Sequence, residues 1–169
     1  MPVQQALTAR AFGPPRRRVL RAVGAGAGAV ALGGCLAAGG PDYERRAVEP
    51  RDADPRTTEE MAVAEALAQQ DAAEGATSLD SLRLRSHEYV VADGYTGPAV
   101  RGTVANERDE TVSVVELRVR VYDDAGAQIG RFLASTGDLA PGGTWRFEAI
   151  LLASPADVAA YAAAVLGVP

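Results

Sequence analysis

Apolar and polar residues alternate with a period of two over most of the chain beyond Leu79, the pattern of strands with one face buried. In Val112 to Asp123, Val115, Leu117, Val119 and Val121 fall on one face, and Glu116, Arg118, Arg120 and Tyr122 fall on the other. Asp124-Ala125-Gly126 supplies turn chemistry, Ala127 to Ala134 a second strand, and Pro141-Gly142-Gly143 another turn. Trp145, Phe147, Ala149 and Leu151 then continue an inward face, and Val100, Gly102 and Val104 alternate in the same way upstream. Leu82 and Leu84 are out of phase with Tyr89 and Val91, which predicts a bulge or two separate segments. Short strands joined by turns, without the spacing of βαβ units, predict an all-β fold: a small antiparallel, immunoglobulin-like β-sandwich over residues 79–168. So small a domain buries a modest fraction of its surface, which gives Leu117, Trp145 and Phe147 a large expected share of the stability.

The period differs before Leu79. Thr57 and Glu60 have the spacing of a capping box, Glu59 and Glu60 suit a helix N-terminus, and Gly75 offers a stop. A short helix is expected over residues 57–75, with Met61, Val63 and Leu67 as its only bulky apolar residues among alanines. Residues 35–56 are small, then mixed in charge, with Pro41, Pro50 and Pro55, and are expected to form a flexible tether.

Residues 1–34 run basic, apolar, small, which is the order of a signal peptide. Arg16-Arg17-x-Val19-Leu20-Arg21 resembles the twin-arginine consensus, an address read by a receptor at Arg16 and Arg17. The uncharged stretch from Ala22 to Gly34 is weakly hydrophobic and short for a spanning helix. It ends in Leu32-Gly33-Gly34-Cys35, which matches a lipobox: an aliphatic residue, two small residues that admit a peptidase, and a thiol suited to thioether formation. Cys35 is the only cysteine, so an intrachain disulfide is impossible, and lipidation accounts for its position. The expected location is the extracellular face of the cell membrane, with the membrane itself a partner through lipid on Cys35.

Charge narrows the choice of other partners. All 17 basic residues are arginine, and the net charge of −5 becomes −10 once residues 1–34, with five arginines and no acid, are removed. By charge, neither nucleic acid nor an anionic membrane surface is therefore an expected partner. The absence of lysine together with abundant Ala, Val, Asp and Glu resembles proteins of salt-loving archaea, in whose surroundings salt screens such self-repulsion.

A second resemblance rests on Gly102-Thr-Val-Ala-Asn106, Val119-Arg-Val-Tyr122-Asp123, Gly126, and Leu139-Ala-Pro141-Gly142 leading to Trp145-Arg-Phe147. These elements, over about half the chain, are similar to the FxLYD domain, a small β-sandwich of exported prokaryotic proteins. Val119 and Val121 replace the Phe and Leu of the naming motif but keep the buried face apolar. Ser154-Pro155-Ala156-Asp157 and the alanine-rich Val158 to Leu166 have helical propensity. The resemblance implies instead a turn around Asp157 and a closing strand over Tyr161 to Leu166.

No catalytic constellation is legible. His87 is the sole histidine, Ser135, Thr136 and Ser154 lack a nucleophile elbow, and no glycine-rich loop opens a helix. Asn106 to Glu110 and Asp123-Asp124 read as solvated turns without the alternating ligands of a calcium loop, so no metal or other cofactor is expected. The expectation is a non-catalytic binding or structural module that meets an unidentified envelope protein or ligand through Arg118, Arg120, Tyr122 and Arg146. The alternatives are a small-solute carrier or envelope enzyme, with a polar pocket between sandwich and helix, and an accessory subunit of a membrane complex.

Overall fold

In a computed structural model describing residues 40–49, 51 and 53–169, the alternating segments pair into two antiparallel sheets. Strands β1 (Glu44–Ala47), β4 (Val112–Tyr122), β5 (Gln128–Leu139) and β7 (Ala160–Val168) form a four-stranded sheet in the order β1-β7-β4-β5. Strands β2 (Leu82–Val91), β3 (Pro98–Asn106) and β6 (Thr144–Ile150) form a three-stranded sheet in the order β2-β3-β6. The sheets face one another as a small all-β sandwich, the class predicted by the period-two pattern.

The core between them is built from the inward positions of each strand. Val115, Leu117, Val119 and Val121 of β4 are fully buried against Val100 and Val104 of β3, Phe147 and Ala149 of β6, and Tyr161 and Ala163 of β7. Each buried Val or Leu contributes about 1.5–3 kcal/mol. Leu117 and Phe147 take the places expected of them, whereas Trp145 is only partly buried and packs beside Phe147 with ring centroids 5.6 Å apart.

The phase change in β2 is a bulge. Leu84 pairs with Val104 and Ser86 with Thr103, so Arg85 is left over and the inward face passes to His87, Tyr89 and Val91 within a single strand. Gly102 lies beside the bulge. A Cβ there would stand 2.0 Å from the Ser86 carbonyl oxygen and 2.5 Å from the Phe147 ring, so close packing alone requires glycine.

The C-terminal segment forms a short 3-10 turn over Pro155–Asp157 followed by β7. Helical propensity loses because β7 lies between β1 and β4 with both faces covered, where a continuous apolar run fits. Ala160, Ala162 and Ala164 face outward and are nonetheless buried beneath side chains from the neighbouring strands.

Helix α1 (Thr58–Ala68) carries the expected capping box, with Thr57 accepting from the Glu60 N–H and the Glu60 carboxylate accepting from the Thr57 N–H. It ends at Ala68, seven residues before Gly75, and buries Ala64 alone while Val63 and Leu67 stay exposed. From its end, residues 69–77 run as a strap: Gln70 accepts from Ser135 of β5, the Ala73 N–H donates to Glu116 of β4, and Thr77 pairs with Gly167 of β7.

The extent of the tether needs correction. Residues 44–47, placed within a flexible segment 35–56 by their polar composition, are strand β1, paired with residues 160–163 of β7. A four-residue edge strand with polar residues on both sides has no apolar alternation to betray it.

Candidate functional site

The signal and anchor residues Arg16, Arg17, Leu32, Gly33, Gly34 and Cys35 lie outside the described residues. The predicted surface does fall within them, and its four members separate. Arg118, Arg120 and Tyr122 share the outward face of β4, whereas Arg146 is on β6, pointing away from the core on the opposite sheet. They do not form one patch.

Within the first group Arg118 is already committed. Its guanidinium pairs with Glu116, whose side chain is only 1% exposed beneath the strap and also accepts the Ala73 N–H. The charge of Arg118 thus offsets a buried carboxylate on its own strand.

Arg120 and Tyr122 have a different surrounding. The Arg120 guanidinium lies 4.0 Å from the centre of the Tyr43 ring, and Arg45 of β1 lies 4.2 Å from that of Tyr122. Both contacts pass over β7, and the small Ala160, Ala162 and Ala164 leave room for them. A cation–π contact holds a guanidinium over its ring without using up its N–H donors, which suit an oxyanion. Tyr43 and Arg45 were invisible as site residues because their segment read as tether. Charge alone gave no hint of them.

His87 acquires partners that sequence proximity does not reveal. Its Nε2 is 3.1 Å from a Glu44 carboxylate oxygen of β1, and its Nδ1 is 2.8 Å from the Tyr161 hydroxyl of β7. The neutral tautomer satisfying both carries its proton on Nε2 and accepts the Tyr161 O–H at Nδ1. The imidazole is buried, so this chain of hydrogen bonds ties β1 and β7 to β2 across the open side of the sandwich. Burial pushes the Tyr161 phenol above its ordinary pKa, with Arg46 opposing, which keeps the hydroxyl protonated as a donor. A depression of about 270 Å³ adjoins the group, lined by Arg46, Arg51, His87, Tyr89 and Tyr161. Among the described residues Tyr89 Oη is buried without a hydrogen-bond partner, and burial raises its phenol too, against the influence of Arg51 and Arg56.

A larger cavity, about 650 Å³, opens between the segment entering α1 and the end of the sandwich, lined by Asp54, Arg56, Met61, Asp93, Pro98 and Leu152 among others. Arg56 is its strut. The guanidinium donates to the carbonyls of Tyr95 at 2.9 Å, Thr96 at 2.6 Å and Leu151 at 3.0 Å, and lies so close to Gly97 that a Cβ there would meet it at 2.7 Å.

The acidic turns have structural work. Asn106 is 1% exposed; its amide donates to the carbonyls of Glu110, Leu139 and Ala140, and its oxygen accepts the Arg108 N–H. It is a buried loop clamp, unlike the solvated residue expected there. Asp123 accepts the Ala127 N–H across the β4–β5 turn. Among the described residues no group of three or more His, Cys, Asp or Glu is placed to hold a metal ion.

No family model matches the chain, and neither a curated protein nor a solved structure matches it.

Proposed function

We propose that the chain is an exported lipoprotein, sent out by its twin-arginine signal and held by lipid on Cys35 at the extracellular face of the membrane. Its FxLYD-like sandwich acts there as a non-catalytic binding or structural module. The supporting observation is the outward face of the four-stranded sheet, where Arg45 and Arg120 lie over tyrosine rings and, among the described residues, have no carboxylate partner. A protein with so many acids has carboxylates to spare, and guanidiniums held open on one face suit an anion supplied from outside. Cell fractionation of wild type and Cys35→Ser tests the anchor: the wild type should sediment with membranes and carry lipid mass on its N-terminal peptide, and the variant should be released. Equal retention with no lipid mass removes the anchored reading. Replacing Arg16 and Arg17 by Lys should hold the precursor inside the cell.

A second reading, a small-solute carrier, draws support from the 650 Å³ cavity, whose size and mixed lining suit a small organic molecule between sandwich and helix. Native mass spectrometry of the purified protein should then show a bound small molecule that Met61→Trp displaces. A bare polypeptide mass removes this reading.

A further inference from the structure

The outward face of the four-stranded sheet has a cross-strand order that its individual residues do not convey. Arg45 is opposite Ala162, Ala162 is opposite Arg120, and Arg120 is opposite Arg131. The backbones of three arginines therefore stand in one row perpendicular to the strands, about 14 Å long at a strand spacing of about 4.8 Å, with Arg45 and Arg120 leaning from it toward Tyr122 and Tyr43. Among the described residues none of the three has a carboxylate partner, whereas Arg83, Arg85, Arg101, Arg108 and Arg118 each have one. Glu44, in the row of Val119, turns to His87, so among the described residues the sole acid on the outward face of the rows from Glu116 to Tyr122 is Glu116, buried and paired with Arg118. The face is thus basic and aromatic on a chain that is acidic overall.

We propose that this row docks the domain flat on the phosphate headgroups of an anionic membrane, the one to which Cys35 ties the chain, and in this the inference rests on the anchored-lipoprotein reading. Where the chain enters the domain supports that occupant. Tyr43, whose ring lies on this face, is eight residues beyond Cys35, and eight residues span at most about 28 Å in any conformation. An anchored domain therefore holds the row within reach of the bilayer at high effective concentration. Tyrosine, apolar in its ring and polar at its tip, suits the headgroup region, and a planar guanidinium meets a phosphate bidentately.

The net charge opposes the approach at long range, but the two effects differ in range. Salt shortens the Debye length from about 10 Å at 0.1 M to about 3 Å at 1 M, which silences the repulsion before it weakens contact-distance hydrogen bonds. Docking is accordingly confined to this one face.

The test uses the mature chain, residues 35–169, carrying Cys35→Ser, so that neither lipid nor the five arginines of residues 1–34 plays a part, with and without Arg45→Gln, Arg120→Gln and Arg131→Gln together. Co-sedimentation is measured with vesicles containing phosphatidylglycerol and with pure phosphatidylcholine vesicles. An arginine near an anionic surface is worth about fivefold in partitioning, so the triple variant should lose roughly a hundredfold on phosphatidylglycerol. Binding to phosphatidylcholine should be equal for both chains. Arg131→Gln alone, exposed and unstacked, should lose about fivefold with an unchanged urea midpoint, which covers the case of a triple variant that misfolds. Equal binding of the two chains to phosphatidylglycerol overturns the proposal. So does wild-type binding to dextran sulfate with none to either vesicle, which assigns the row to a soluble polyanion. Failure of the anchor itself is read separately, by fractionation of Cys35→Ser against wild type.

Discussion

Arg118→Ala is a substitution that sequence reasoning treats as a change on a solvated face and that the structure treats as removal of an internal counter-charge. Glu116 is 1% exposed at its side chain and Arg118 20%, and the remaining donor to the carboxylate is the Ala73 N–H. Stripping one partner from a buried pair costs about 3–5 kcal/mol. Arg118 stands at the solvent boundary, so its truncation admits some water, and a loss near 3 kcal/mol is expected. By contrast, Arg120→Ala removes an exposed cation–π contact worth about 0.5–1 kcal/mol. Urea unfolding followed by the fluorescence of Trp145, the only tryptophan, measures both. With a slope of about 2 kcal/mol/M, Arg118→Ala should lower the midpoint by about 1.5 M and Arg120→Ala by less than about 0.5 M. Adding Glu116→Gln to Arg118→Ala should restore at least about 1 kcal/mol, because the amide oxygen still accepts from Ala73 and no charge is left buried. A loss under about 0.5 kcal/mol for Arg118→Ala, or equal losses for the two arginines, refutes the assignment of Arg118 as the partner of a buried acid.

Gly102→Ala should destabilise by about 2–3 kcal/mol, since relief of a 2.0 Å approach to the Ser86 carbonyl requires backbone movement; a thermal midpoint equal to wild type disproves the close packing. Arg56→Lys should cost about 1–2 kcal/mol and raise hydrogen exchange over residues 58–68, because an ammonium cannot reproduce three carbonyl contacts of a planar fork; unchanged protection of α1 counts against the strut. Tyr89→Phe should be neutral or stabilising by up to about 1 kcal/mol at pH 8, since it deletes a buried hydroxyl without a partner. The phenols of Tyr89 and Tyr161 are raised by burial, so unfolded chains ionise first: the stability they contribute is whole below about pH 10 and is lost as pH climbs through the folded values. The fall in urea midpoint between pH 9 and pH 11 should accordingly be smaller in Tyr89→Phe, and an identical fall rules the burial effect out.

What was legible in the sequence was whatever rested on local periodicity. The alternation through β4 is regular because one face meets the core, the offset between Leu84 and Tyr89 is the bulge seen from sequence, and Thr57 with Glu60 caps α1 by spacing alone. Features that depend on a distant partner were hidden. Nothing local distinguishes Glu116 from Arg118 and Arg120 as a buried residue; the strap of residues 69–77 does that from above. Asn106 looks like any turn residue until the carbonyls of Leu139 and Ala140 arrive from another hairpin. Glu44 and Tyr161, 43 and 74 residues from His87, complete an assembly of which the sequence displays one member. Alanine in β7 illustrates tertiary override, as its helical preference, a fraction of a kcal/mol per residue, is outweighed by the ladders to β1 and β4 between which the strand lies.

Strand β1 also makes the chain a leash of two lengths. A pull transmitted from the N-terminal side reaches the stack of Tyr43 on Arg120 first, then the four-residue ladder with β7 and the Glu44–His87 contact. Behind it Val48 donates its N–H to the Ala159 carbonyl and Arg56 is clamped to three carbonyls, so peeling β1 together with Val48 back to Arg56 frees twelve residues, about 40 Å of contour. Stretch is thereby taken up by a short edge strand before it reaches the packed sheets behind it.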